Sequence, residues 1–262
     1  MISHAGRLLS QQVFSLYTYE RLFPHHRPCF STRALVKMAF QSNKPIVLYT
    51  LGTPNGVVAS IFLEELKAAY GGPDYDAVKM SISDAEIGKV HNQVKSPWFL
   101  EINPNGRIPA ITHEGTRVFE TSAILLYLAQ VFDKERKFSK DPSDLKAWAE
   151  EQSWIYFSHG GVGPMQGQAN HFNLYAPEKI PYAINRYLNE TKRLYSVLES
   201  ALEKSEYLAG PTYGIADIKA FGWVRIAPRT GVELEPFPKL SAWLKKIEER
   251  PAVKEGLAVP RS

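Results

Sequence analysis

The sequence predicts an α/β N-terminal half of order β-α-β-α-β-β-α, followed by an all-helical C-terminal half. Short β-rich runs alternate with helical periodicity from Ile46 to Phe132. After Asp141-Pro142 the β signal disappears and only helical periodicity continues. Proline and glycine turns punctuate both halves.

Ile46 to Thr50 is an apolar run suited to a strand, and Gly52, Pro54, Asn55 and Gly56 then form a turn. Val58, Ile61, Phe62 and Leu66 recur at helical spacing. Asp76 to Met80 reads as a second strand, followed by a polar loop from Ser81 to Ser96. Pro97 to Ile102 suggests a short helix, stopped by Asn103-Pro-Asn-Gly106. Ile108 to Thr112 and Arg117 to Phe119 read as a hairpin around His113-Glu-Gly-Thr116. Glu120 to Phe132 is a helix with Ile124, Leu125, Leu128 and Val131 on one face. The later helical stretches are Leu145–His159, Ile184–Leu202, Ile215–Arg225 and Leu240–Arg250, with Gly160-Gly-Val-Gly-Pro164 read as a break. The expected organisation is an extension over 1–44, a first domain over 45–132, a linker over 133–142 and a helical domain over 143–257.

The net charge of +4 is concentrated at one end. Arg7, Arg21, Arg27, Arg33, Lys37 and Lys44 face only Glu20 in the first 44 residues, so the remainder is near neutral. A basic footprint for nucleic acid is therefore not expected. No apolar run approaches the roughly 20 residues of a membrane helix. The extension has the composition of a mitochondrial transit peptide, and equally of a disordered tail or a chain that starts at Met38. The expected location is the cytoplasm, with the mitochondrion as the alternative. Cys29 is the single cysteine, which excludes an internal disulfide or a C-x-x-C pair, and its place in the extension argues against catalysis.

Three motifs carry chemistry. Thr53-Pro54-Asn55-Gly56 places a hydroxyl and an amide at a helix start, where about half a positive charge and unpaired N–H groups favour an anion such as a thiolate. Alone it is also an ordinary Asn-Gly turn. Asn103-Pro-Asn-Gly-Arg-Ile-Pro109 opens a strand on a proline; a cis Ile108–Pro109 bond would turn the Ile108 N–H and C=O outward to pair with an extended peptide. Glu120-Thr121-Ser122 reads either as a helix cap or as a carboxylate and hydroxyl that hold an ammonium and a carboxylate together. The seven histidines show no metal-binding spacing, and His171 reads as a packed residue.

Taken together, these motifs resemble those of the glutathione transferases, over residues 45–257. Trp154-Ile-Tyr-Phe-Ser-His-Gly-Gly-Val-Gly-Pro164 through Phe172, then Tyr175 through Tyr187, and Arg250-Pro-Ala-Val253 are similar to the Nu class, to bacterial disulfide-bond oxidoreductases and to fungal transferases like the yeast nitrogen regulator. The resemblance implies a thioredoxin-like first domain, glutathione as co-substrate and a homodimer, with Trp98, Phe99 and the face around Leu145–Ile155 as candidate contacts. It implies that Thr53 and Asn55 hold the thiol and that Ile108, before Pro109 and beside Arg107, pairs with the cysteinyl backbone. Glu120 and Thr121 are then expected at the γ-glutamyl end, with Ser122 sharing that role. Gln93 and Lys95 are expected near the glycyl carboxylate, and Arg186 is expected to reach glutathione from the helical half. Ser158, His159 and Phe172 are expected in the pocket for a small hydrophobic electrophile or disulfide, and Trp223 is a further candidate for an apolar pocket. Gly214-Ile-Ala-Asp217 matches the family's capping box with glycine at the cap, which makes Asp217 structural. The expected activity is conjugation of glutathione to an electrophile; glutathione-dependent disulfide reduction and a non-enzymatic regulatory or scaffold role are the alternatives.

Overall fold

The computed structural model describes residues 44–261; the expectations for the N-terminal extension and Cys29 lie outside the described residues. The first half holds β1 (Ile46–Thr50), α1 (Gly56–Tyr70), β2 (Tyr75–Lys79), the short α2 (Pro97–Leu100), β3 (Ala110–His113), β4 (Thr116–Phe119) and α3 (Thr121–Phe132). The sheet order is β2-β1-β3-β4; β1 pairs parallel with β2 and antiparallel with β3, and β3 pairs antiparallel with β4.

Every residue of β1 is buried, as expected of a strand covered on both faces. Its side chains alternate between two cores. Ile46 and Leu48 join α1, α3 and the helical half, whereas Val47 and Tyr49 meet Val78, Met80, Val94, Trp98, Phe99 and Ile102 on the other face. That second core corrects one expectation. Trp98 and Phe99 are buried against Tyr49 and so offer no surface for a partner chain. Leu145, Trp148 and Tyr156 are exposed instead.

The second half holds α4 (Leu145–Phe157), α5 (Gly163–Asn170), α6 (Pro181–Leu202), α7 (Ile215–Val224), α8 (Ala227–Thr230), α9 (Pro238–Glu248) and α10 (Pro251–Leu257). The glycine-rich stretch after α4 does not break the helix. The chain runs on through a π-helical turn at Ser158–Val162, then α5, then a second π turn at His171–Tyr175. Pro164 directly follows the wider π turn, and the helical run continues past it.

Helix α7 is the centre of this half and is buried almost all round. Asp217 accepts from the backbone N–H of Gly214 and Leu208 and from the Trp243 indole. A side chain at Gly214 would meet the Phe138 carbonyl oxygen at 2.5 Å, which explains glycine at the cap. Helix α10 lies against α1, and there Arg250 clamps Glu65 through two hydrogen bonds of 2.6 and 2.8 Å. Among the described residues, no helix is long and apolar enough to cross a membrane.

Candidate functional site

Where the start of α1 meets α5 and α7 there is a cleft of about 570 Å³. Thr53, Pro54 and Asn55 line it from the first turn, Asn103, Asn105, Arg107, Ile108 and Pro109 from the loop before β3, and Glu120 and Thr121 from the start of α3. The helical half contributes His159, Gly163, Pro164, Gly167, Lys219 and Trp223.

The first turn is shaped by close approach. A side chain at Gly56 would lie 1.9 Å from the Leu51 carbonyl oxygen, so only glycine fits where α1 begins. The Thr53 hydroxyl oxygen accepts from the Gly56 N–H at 3.1 Å and caps the helix, leaving its own proton to donate. Asn55 does not cap. Its Oδ1 accepts from the Trp223 indole N–H at 2.9 Å. An indole N–H only donates, so it sets the amide orientation and turns the Asn55 NH₂ away from Trp223. Trp223 is itself seated on α5. A side chain at Gly163 would come within 2.9 Å of its Nε1, and one at Gly167 within 3.3 Å of its Cη2. Gly222 brings α7 onto the turn, since a side chain there would lie 2.4 Å from the Pro54 carbonyl oxygen.

The Ile108–Pro109 bond is cis. Behind it, the Asn103 amide donates to the Arg107 carbonyl at 2.7 Å, and Lys95 donates to the Asn105 carbonyl at 2.9 Å. Gln93 is fully buried and bonds within its own loop to Ser83 and the Lys95 N–H. Gln93 and Lys95 thus support the cleft wall without lining it.

Glu120 sits at φ 72°, a region that costs a non-glycine residue about 1–3 kcal/mol and that clusters at functional sites. Its carboxylate lies 3.5 Å from His159 Nε2, and His159 Nδ1 lies 2.8 Å from the Ser122 hydroxyl. With Nε2 facing a carboxylate, the proton belongs on Nε2, and Nδ1 accepts from Ser122. Burial first, then the positive charge of Lys219, push the His159 pKa down, against the opposing pull of Glu120. His159 therefore joins the two halves of the cleft as a neutral ring at pH 7. Ser122 is buried beneath it.

Three expected residues lie elsewhere. Arg186 is exposed and pairs with Glu190 at 3.7 Å; it is not among the cleft-lining residues, because its helix face points to solvent. Phe172 stacks on Tyr187 with rings 5.6 Å apart, and Ser158 is buried in the π turn; neither lines the cleft. Sequence reasoning missed Lys219. It is 2% exposed, lines the cleft, and has its pKa pushed down to about 8 by burial. A lysine within the apolar α7 was the available signal. Among the described residues, no group of three or more His, Cys, Asp or Glu is placed to hold a metal ion.

The family model described as the N-terminal domain of glutathione S-transferases matches residues 45–130, and that of the C-terminal domain matches 178–251. The chain is 40% identical over 219 residues to the disulfide-bond oxidoreductase YfcG of Escherichia coli, covering 81% of this chain and 94% of that protein. Among solved structures it is similar to a glutathione transferase homolog of Lodderomyces elongisporus with two GSH per subunit, at TM-score 0.74 and 40% identity, covering 83% of this chain and 99% of that one. It is also similar to the transferase URE2P6 of Phanerochaete chrysosporium in complex with oxidized glutathione, at TM-score 0.73 and 38% identity, covering 82% and 95%.

Proposed function

The chain belongs to the glutathione S-transferase family, and from that premise we propose that it binds glutathione in the cleft and ionises its thiol at the start of α1. The observation that carries this reading is the Asn55–Trp223 hydrogen bond, which leaves the Asn55 NH₂ as an oriented donor beside the Thr53 hydroxyl. A free thiol titrates near 8.5, and each unit of depression needs about 1.4 kcal/mol of preference for the thiolate. A helix start supplies about 0.3–2 kcal/mol and a hydrogen bond to a charged group about 1.5–3 kcal/mol. Together these lower the thiol pKa by about one to three units and populate the thiolate near neutrality without a basic residue.

The thiolate then attacks an electrophilic carbon of a small molecule, forming a C–S bond as the leaving group departs with its electron pair. A second reading keeps the same activation and changes the acceptor. The thiolate attacks a disulfide sulfur and expels the other sulfur as thiolate; a second glutathione thiolate then attacks the glutathione sulfur of the mixed disulfide, expels the remaining substrate sulfur as thiolate, and the two glutathiones leave joined as oxidised glutathione. The relatives named disulfide-bond oxidoreductases, and the solved neighbours holding two GSH or oxidized glutathione, favour that reading. Exposed Leu145, Trp148 and Tyr156 on α4 support a homodimer.

A parallel assay of conjugation to an aryl halide and of reduction of a small-molecule disulfide tests both acceptors. Turnover of either one, with Asn55→Ala raising the apparent pKa of the reaction, is expected. Activity whose pH profile ignores Asn55→Ala removes Asn55 from the mechanism.

A further inference from the structure

Gln166 lies on α5 between Gly163 and Gly167, the two residues against which the Trp223 ring sits. It is fully buried and does not line the cleft. Its Nε2 donates to the Trp223 carbonyl oxygen at 2.9 Å and to the Thr230 hydroxyl oxygen at 3.0 Å. Its Oε1 accepts from the Tyr195 hydroxyl at 2.8 Å. A backbone carbonyl only accepts, so the amide nitrogen has to face Trp223 and the amide has one orientation.

Trp223 lies in the last turn of α7, where carbonyls have no partner further along the helix. Its carbonyl takes the Ile226 N–H at 3.2 Å and the Gln166 amide more closely. Helix α5 therefore holds Trp223 at two points, with glycines against the ring and a glutamine on the backbone. Tyr195 on α6 and Thr230 on α8 are buried too, and Thr230 passes its own proton to the Ile226 carbonyl at 3.2 Å. A buried polar network with its partners in place fixes the groups it joins.

The other end of Trp223 is the indole N–H that turns the Asn55 amide. A hydrogen bond weakens steeply as its angle departs from linear, so that contact depends on where the α7 backbone puts the ring. Resting on the glutathione reading above, we propose that Gln166 is a positioning residue for thiol activation. It touches no substrate. It holds the Trp223 backbone so that the indole keeps the Asn55 NH₂ aimed at the sulfur.

Thiolate absorbance of bound glutathione against pH, on the full chain, tests this with Gln166→Met, Tyr195→Phe and the double variant. Gln166→Met is expected to raise the thiol pKa by about half a unit, roughly a threefold loss of thiolate at lower pH. Tyr195→Phe is expected to lower Tm yet leave that pKa in place, because the Gln166–Trp223 bond survives it. The double variant leaves no orphaned Tyr195 hydroxyl, so it keeps the test open should Gln166→Met not fold, and it is expected to show the same half-unit rise. In a Trp223→Phe background, Gln166→Met is expected to add no shift. In the ligand-free protein, the indole N–H signal that Trp223→Phe removes is expected to exchange with solvent faster in Gln166→Met. A thiol pKa that follows Tm across the variants, or a full shift that persists without the Trp223 indole, overturns the assignment while leaving glutathione binding intact. A wild-type chain that binds no glutathione overturns the underlying reading and this one with it.

Discussion

The Trp223 indole donates to the Asn55 side-chain oxygen at 2.9 Å across 168 residues of chain, so the helical half sets the orientation of a group in the thioredoxin-like half. Trp223→Phe keeps most of the packing and removes the donor. The amide is then free to rotate, and a net hydrogen bond of about 0.5–1.5 kcal/mol is lost from its orientation. The expected result is a rise of up to about one unit in the pKa of enzyme-bound glutathione, read from thiolate absorbance against pH. Asn55→Ala is expected to shift it by more, because it removes the donor itself. A larger effect at Trp223 than at Asn55 would reverse the proposed order of causes.

The glycines of α5 make room for that indole. Gly163→Ala puts a methyl group 2.9 Å from Trp223 Nε1 in a packed interface, whereas Gly167→Ala meets Cη2 at an easier 3.3 Å. Overpacking of the first kind costs about 1–3 kcal/mol, and here it displaces the ring from Asn55. Gly163→Ala is therefore expected to reproduce the thiol pKa rise of Trp223→Phe and to lower Tm. Gly167→Ala is expected to do less of both. Steady-state kinetics and thermal melts on the two variants check the ranking.

Much of this was legible in the sequence. β1, α1 and the hairpin follow from local patterns: an apolar run, a Pro-Asn-Gly turn, a helical stripe. So do the residues that approach the cleft from those elements, namely Thr53, Asn55, Ile108, Pro109, Glu120 and Thr121. What local pattern did not carry was anything decided by contact across the fold. Gly160-Gly-Val-Gly-Pro164 reads locally as a break, yet Gly163 is needed for packing against Trp223, and the helix runs on through a π turn. Trp98 and Phe99, in a short helix, read as candidate dimer contacts, yet the second face of the sheet covers them. Lys219 reads as the polar residue of a helix, but that helix is buried on nearly all sides. The Ser122–His159–Glu120 chain joins residues from two halves, and no spacing announces it.

The Arg250–Glu65 fork ties α10 to α1. Glu65 is almost wholly buried and Arg250 is partly exposed, with its guanidinium 4.0 Å from the centre of the Tyr213 ring. Arg250→Met leaves a buried carboxylate without a partner and is expected to cost about 3–5 kcal/mol. Replacing both residues by Met removes the uncompensated charge, so the double variant should be more stable than Arg250→Met alone. Urea unfolding of the wild type, Arg250→Met, Glu65→Met and the double variant measures the coupling, and additive losses would show that the fork contributes nothing as a pair.

Glu151 links stability to pH with a definite sign. Its carboxyl is buried between α4 and the segment after α3, accepts the Lys140 N–H, and lies near the charges of Asp133 and Asp217. Burial, chiefly, pushes its pKa up to about 7 from the ordinary 4.5. Between those two values the folded chain holds a proton that the unfolded chain has released. Stability from this group therefore falls as pH rises through that window, and its full cost is present above pH 7. Glu151→Gln keeps the shape and an oxygen to accept from Lys140, and it never ionises. Relative to the wild type, the variant should gain about 2 kcal/mol on going from pH 5 to pH 8. Chemical denaturation of both proteins at the two pH values measures that difference of differences. A gap that stays constant with pH would mean that Glu151 titrates normally, and the buried carboxyl would then need another source of solvation.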